Sequence, residues 1–333
     1  MKQVQLDENL FEGAVSFERG DDWIKPWRLP FAELRLFPPD DALVGRAETA
    51  AGVRLRFRTD AETLMLALVP TDEERLLDLT INGELLVTCC AEVGSDQVLF
   101  PFVPAGDKVV EIWLPQTHPV ALRHLLVEDG ADVEAVEDTR PKWITYGSSI
   151  THCGAAHSPA RTWPATAARE RDLNLTCLGY GGNCHLEPMV AMMIRDMPAD
   201  FISLKVGINI LGAASLSPRT FRSAIIGAVR IIREKQPDIP IAVISPIVSP
   251  PRETEPNPVG LSLTKMREEV QDAVRRLTDC GDGNLHYFSG LDLFGEDLAA
   301  DYLPDDVHPD GDGYEIMGRN FSQLVFGEIT PGN

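Results

Sequence analysis

The chain changes its hydrophobic period once, and that change limits the folds open to it. Up to residue 138 short apolar runs are broken by turn residues, and no convincing helical pattern occurs. Val53, Leu55 and Phe57 alternate with Arg54, Arg56 and Arg58, the period of a half-buried strand. Between Leu77 and Val87 the run Ile81-Asn82-Gly83-Glu84 carries an Asn-Gly pair, whose two residues accept the positive φ of a tight hairpin turn. Val98 to Val103 and Val109 to Leu114 follow, separated by Pro104-Ala105-Gly106-Asp107. Residues 1–138 are therefore expected to form an N-terminal all-β sandwich of jelly-roll type. A chain of 333 residues also exceeds what one core usually fills, so two domains are expected.

The acidic stretch from Glu128 to Asp138 is poor in large side chains and reads as a linker. Beyond it, in residues 139–333, strand candidates alternate with helix candidates. The strands are Trp143 to Tyr146, Leu173 to Leu178, Phe201 to Val206, Ile239 to Ser245 and Leu285 to Phe288. Helices are expected near Trp163 to Glu170, Leu186 to Asp196, Arg219 to Lys235, Thr264 to Thr278 and Tyr314 to Phe326. Such alternation predicts a three-layer α/β/α domain with a parallel sheet, whose ligand crevice lies beyond the carboxyl ends of the strands.

Chemistry-bearing residues gather at those strand ends. Gly147-Ser148-Ser149 ends the first run, Gly179-Tyr180-Gly181-Gly182-Asn183 the second and Gly207-Ile208-Asn209 the third; Asp305-Asp306-Val307-His308 lies near the C-terminus. A serine hydroxyl becomes a nucleophile when an imidazole takes its proton, and a carboxylate fixes that imidazole's tautomer. The Asp305-x-x-His308 spacing can place acid and base on one side of a turn, with Asp306 as the competing acid. Glycine N–H and asparagine amide groups suit a developing oxyanion.

This order of motifs resembles the SGNH hydrolases, also called the GDSL family of esterases, lipases and acyltransferases, over roughly residues 141 to 327. Ser148 stands where the family's aspartate of Gly-Asp-Ser usually does. The resemblance implies a flavodoxin-like domain with Ser149 as nucleophile and Asp305 and His308 completing the triad. It also implies an oxyanion hole made by the Ser149 N–H, Gly182 and Asn209, and no metal or cofactor. The two-domain layout is similar to sandwich-bearing carbohydrate esterases and to acyltransferases that join a β-domain to an SGNH domain.

Each residue also has a plain structural reading. Ser149 can cap a helix, Asn209 can satisfy loop carbonyls, and Asp305 with His308 can be a surface pair. Jointly these readings require coincidence. His152, Cys153, His157, Cys184 and His185 have loosely plausible zinc spacing but share the loops of the triad motifs. Gly179-x-Gly181 begins a dinucleotide fingerprint whose third glycine position is Cys184, no G-x-S-x-G elbow occurs, and Asp310-Gly311-Asp312-Gly313 lacks the ladder of a calcium loop. Trp23 and Trp27 are candidates for a sugar-stacking platform or for core packing, and Trp163 for core or pocket wall, with Thr162 as the cap of its helix. The proline-rich segment Ile247 to Pro258 leaves three roles open: covering the pocket, contacting a partner subunit of a homo-oligomer, or plain connection.

The formal charge of −21 leaves no positive footprint for nucleic acid or an anionic membrane. The polar N-terminus is unlike a signal peptide, no apolar run approaches a membrane span, and the six cysteines contain no C-x-x-C motif, so a cytoplasmic protein is expected. The expected activity is a serine esterase acting on short-chain esters of a small polar molecule or sugar. An acyltransferase is the alternative, and a non-catalytic glycan-binding protein on a hydrolase fold a third.

Overall fold

In the computed structural model, which describes residues 1–38 and 40–332, the first part of the chain contributes two antiparallel sheets. Their strands are β1 (Lys2–Gln5), β2 (Phe11–Glu12), β3 (Ser16–Arg19), β4 (Ile24–Trp27), β5 (Arg54–Thr59), β6 (Leu64–Leu68), β7 (Arg75–Ile81), β8 (Glu84–Ala91), β9 (Gln97–Phe100), β10 (Lys108–Trp113), β11 (Leu122–Val127) and β12 (Val133–Ala135). One sheet runs β3-β4-β11-β6-β9 with β1 also on β11; the other runs β12-β5-β10-β7-β8 with β2 also on β5. Leu55, Phe57, Leu66, Leu79, Ile112 and Leu125 meet in one buried cluster between them, as facing sheets require. The expected hairpin joins β7 to β8, with Asn82 at φ 50° and Gly83 at φ 87°.

Two details differ from the sequence expectation. On β5 the face opposite the core is not simply solvated: Arg54 is fully buried, because its guanidinium reaches Glu111, the Leu175 carbonyl at 3.0 Å and Asn174 Oδ1 at 2.8 Å across the domain boundary. The acidic segment read as a linker carries β12, which pairs with β5, and its Glu128 carboxylate accepts the N–H groups of Glu62 and Thr63. Asp138 at its end is buried against Arg140. Burial raises the Glu111 carboxyl, but Arg54, Arg140 and Arg56 around it hold its pKa below the ordinary carboxylate value.

The remaining chain forms a five-stranded parallel sheet in the order β14-β13-β15-β16-β17, from β13 (Lys142–Gly147), β14 (Asn174–Gly179), β15 (Phe201–Lys205), β16 (Ile241–Ile244) and β17 (Leu285–Phe288). After a short α1 (Gly45–Ala47) in the first part, the helices are α2 (Ser149–His152), α3 (Trp163–Glu170), α4 (Pro188–Asp196), α5 (Ile208–Ala213), α6 (Pro218–Arg233), α7 (Leu263–Asp279), α8 (Gly290–Leu293), α9 (Glu296–Tyr302) and α10 (Gly311–Glu328). Side chains of α4, α6 and α7 pack in one buried cluster with the sheet, and those of α3 and α10 in another, giving the three layers. Trp163 is core, 4.9 Å from the Phe321 ring, and Trp27 is buried with its indole N–H on Glu18, which leaves no platform with Trp23.

The connection after β13 runs to β14 on one side of it and the connection after β15 runs to β16 on the other, so the chain turns opposite ways between β13 and β15. That switch point opens a crevice at the carboxyl ends of these three strands.

Candidate active site

Strand β13 ends at Gly147, where a side chain has no room: an added Cβ would lie 2.1 Å from Thr151 Oγ1. The sharp turn this permits starts α2, and Ser148 caps it by accepting the Ile150 N–H at 3.2 Å. Serine thus does at this position what a short acceptor side chain can do for a helix start. Ser149, the first residue of α2, turns its hydroxyl toward His308, with Oγ 2.8 Å from Nε2.

His308 sits in the segment before α10. Its Nδ1 is 2.7 Å from Asp305 Oδ2, while Asp305 Oδ1 accepts the N–H groups of Val307 at 3.0 Å and His308 at 2.7 Å. Partial burial raises the Asp305 carboxyl, but the His308 N–H, the imidazole and the Val307 N–H outweigh it and hold the pKa at about 2. An ionised Asp305 makes Nδ1 the protonated nitrogen, so Nε2 faces the serine as an acceptor. Asp306 is turned away, with φ 61°, and its carbonyl accepts the Ser249 hydroxyl. The geometry thus brings Asp305, not Asp306, to the histidine.

Gly182 and Asn209 line the same cleft as Ser149 and His308. Gly182 takes φ 76°, a left-handed value that glycine adopts without strain. The Asn209 carbonyl oxygen accepts the Cys184 N–H at 3.1 Å, which fixes the amide so that its NH₂ is the end left for the cleft. Gly181 lies between two side chains: a Cβ built there would be 3.6 Å from Ser149 Cβ and 3.5 Å from Arg46 Nε.

The cleft has a volume of about 790 Å³. Its walls include groups that the sequence did not single out: Arg46, Thr117 and His118 from the β-sheet region and Arg252 from the proline-rich segment. That segment is held down, since Glu253 accepts the Ser249 N–H and pairs with Arg267 while Arg252 Nη1 donates to Ser249 Oγ at 3.0 Å. The segment thus contributes Arg252 to the cleft wall.

The imagined zinc ligands go to separate partners. His152 is buried with Nε2 donating to the Gln116 carbonyl at 2.6 Å; burial first, and the Arg28 charge second, lower its pKa to about 3. His157 pairs with Asp312, His185 Nδ1 meets Ser215, Cys153 Sγ donates to the Ile150 carbonyl, and Cys184 Sγ points to the Lys205 carbonyl. Among the described residues no cluster of three or more histidine, cysteine or acidic side chains could hold a metal. Nor is any described helix long and apolar enough to cross a membrane.

One more side chain belongs to the site's support. Arg28, fully buried, donates to the carbonyls of Gly179 at 2.6 Å, Cys177 at 3.2 Å and Thr49 at 2.8 Å, and its own carbonyl accepts the Tyr180 hydroxyl at 2.6 Å. It ties the loop carrying Gly182 to the β-sheet region.

Residues 141–324 match the model of the GDSL-like lipase/acylhydrolase family, and residues 10–123 match that of the SsfX3 N-terminal domain. No curated protein matches the sequence. Among solved structures, the salicylyl-acyltransferase SsfX3 from a tetracycline biosynthetic pathway is 35% identical with a TM-score of 0.90, covering 98% of this chain and 97% of that one. A Bacteroides ovatus protein designated a GDSL-like lipase is 22% identical with a TM-score of 0.80, covering 100% of this chain and 99% of that one. A family two carbohydrate esterase from Clostridium thermocellum shares the fold at 12% identity and a TM-score of 0.68, covering 95% and 98%. The chain belongs to the GDSL-like lipase/acylhydrolase family, as a two-domain SGNH enzyme of the esterase and acyltransferase kind.

Proposed function

We propose that the protein hydrolyses short-chain acyl esters of a small polar molecule or sugar through an acyl-enzyme on Ser149. The observation that carries this reading is the unbroken chain Asp305 to His308 to Ser149, at 2.7 Å and 2.8 Å, opening into the cleft. His308 Nε2 takes the hydroxyl proton as Ser149 Oγ attacks the ester carbon, and Asp305 stabilises the resulting imidazolium. The Ser149 N–H, the Gly182 N–H and the Asn209 amide hold the tetrahedral oxyanion. His308 then gives its proton to the departing alcohol, and water repeats the sequence to release the acid. Among the described residues of the cleft walls, only Ile208, Ala213 and Val307 offer aliphatic side chains, which supports a short acyl group. A non-catalytic glycan-binding role would leave this relay without a purpose.

Acyl transfer is the second reading, favoured by the 35% identity over nearly the whole chain to a salicylyl-acyltransferase. It differs only in the last step, where another alcohol replaces water.

The test is turnover of aryl acetates. Ser149→Ala should lose roughly 10³-fold or more while Ser148→Ala, altering only a cap, keeps most of it. An active Ser149→Ala variant would overturn the reading. Product analysis with and without an added alcohol separates hydrolysis from transfer.

A further inference from the structure

The chain carries 51 acidic residues against 30 lysines and arginines, so a random stretch of its surface holds carboxylates. The cleft does not. Among the described residues lining it are Arg46, Arg252 and His118, and not one aspartate or glutamate; Asp305, behind the cleft-lining His308, is spent on that imidazole. The two arginines come from different parts of the fold and line the same cleft as the serine. Arg46 lies against Gly181, across from Ser149 Cβ. Arg252 enters the cleft wall beside the segment of Asp305 and His308, where it touches Ser249 Oγ and the Asp306 carbonyl.

Neither guanidinium is recorded in an ion pair among the described residues, whereas Arg54, Arg140, Arg233 and Arg267 are all paired with carboxylates. Two cations on a cleft wall with no acid facing them repel each other and raise the local potential. An anion between them removes that cost, and a guanidinium presents the forked donors that carboxylate and phosphate oxygens fit. In a chain of net charge −21 such a spot also concentrates an anionic substrate that the rest of the surface repels.

We propose that the substrate of this site carries an anionic group, a carboxylate or a phosphate monoester, held by Arg46 and Arg252 while its ester lies over Ser149. The proposal rests on the reading of the site as a serine esterase or acyltransferase. It adds a substrate class to that reading. The ester carbonyl itself is neutral until attack, so a fixed anion elsewhere on the molecule gives the cleft a handle that orients the bond before any charge develops on the oxyanion.

The experiment compares kcat/KM for 4-acetoxybenzoate and 4-acetoxyphenyl phosphate with the neutral isostere 4-acetoxybenzamide, each corrected for its uncatalysed rate; monophenyl adipate places the carboxylate on the acyl side. At least one anionic ester should exceed the neutral one by roughly 10-fold or more, and the ratio should fall toward one in Arg46→Ala and in Arg252→Ala. The better of the carboxylate and phosphate arms names the group. In parallel, calorimetry of 4-hydroxybenzoate and phenyl phosphate against 4-hydroxybenzamide reads anion binding without turnover, and Arg46→Lys with Arg252→Lys should retain part of it. A neutral ester turned over and bound as well as every anionic one, or a preference untouched by both arginine changes, would overturn the proposal. If Ser149→Ala kept wild-type turnover while calorimetry still showed arginine-dependent anion binding, the esterase reading would fail and the anion site would stand.

Discussion

At the scale of single residues the site depends on where protons are held. Asp305 stays ionised because three hydrogen bonds favour its carboxylate, and an asparagine there would put an amide against Nδ1. The imidazole would then turn to the tautomer that donates to the serine. Asp305→Asn should therefore lower kcat by roughly 10³-fold or more, while Asp306→Asn, whose side chain does not reach His308, should stay near wild type. Equal rates for the two variants would remove the relay from the mechanism. With Asp305 held at about 2, its carboxylate stays ionised at neutral and weakly acid pH, so the relay is not lost there to protonation of Asp305. His152 makes a separate contribution. Its folded pKa of about 3 lies below the unfolded value of 6.5, so the unfolded chain binds the proton first and stability drops as pH falls below 6.5. Above that pH it adds no slope. Between about pH 5.5 and 4.5 a His152→Gln variant should lose ~1.4 kcal/mol per pH unit less than wild type in urea unfolding, the difference cancelling every other titrating group.

At the scale of elements, the turn from β13 into α2 positions the proposed nucleophile Ser149, and Gly147 sets the turn. Gly147→Ala should cost ~1–3 kcal/mol of stability, since its methyl would overlap Thr151 Oγ1, and should lower kcat by roughly 10²-fold through a shifted Ser149. Thr151 Oγ1 is buried with no hydrogen-bond partner among the described residues, so adding Thr151→Ala removes the tightest contact and should return both quantities part of the way toward wild type, the methyl still lying 2.8 Å from the residue 151 Cβ. A double variant no better than the single would place the fault elsewhere. This turn shows why the sequence was informative here. Ser149, Gly182 and Asn209 each follow a strand directly, and Asp305 and His308 share one turn, so spacing along the chain stood in for distance in space. The Asn82-Gly83 hairpin was legible for the same local reason. Strand β12 was not, because it is short, on an edge and made of exposed or half-buried side chains. Arg46 and His118 had no local signal either. They reach the cleft only because the two parts of the chain pack as they do, whereas Arg252 belongs to the proline-rich segment after β16, for which covering the pocket was already one expected role.

At the scale of the whole molecule, that packing runs through buried arginines. Arg54 crosses from β5 to Asn174 and Leu175, and Arg28 crosses to Cys177 and Gly179, so β14 is tied to the β-sheet region from its first residue to its last, where the turn carrying Gly182 begins. Neither could be read from sequence, since an arginine between apolar residues looks like the solvent side of a strand until its partners are known. Among the described residues Arg28 has no carboxylate partner, and burial lowers its pKa from the ordinary guanidinium value. Its cation is compensated by carbonyl oxygens, the Thr49 hydroxyl and the face of the Tyr180 ring. Arg28→Met keeps much of the volume but orphans the acceptors at Thr49, Cys177 and Gly179, each worth ~1–3 kcal/mol when left buried and unpaired. Unfolding should therefore come several degrees lower in a thermal melt, with a loss of roughly 3 kcal/mol or more. In the fraction that remains folded, the loop from Gly179 to Asn183 loses its anchor, so kcat should fall more than KM rises, as expected when a donor to the oxyanion is displaced and ground-state binding is not. A variant with wild-type melting and wild-type kcat would mean that the β-sheet region merely adjoins the catalytic sheet instead of holding its oxyanion loop in place.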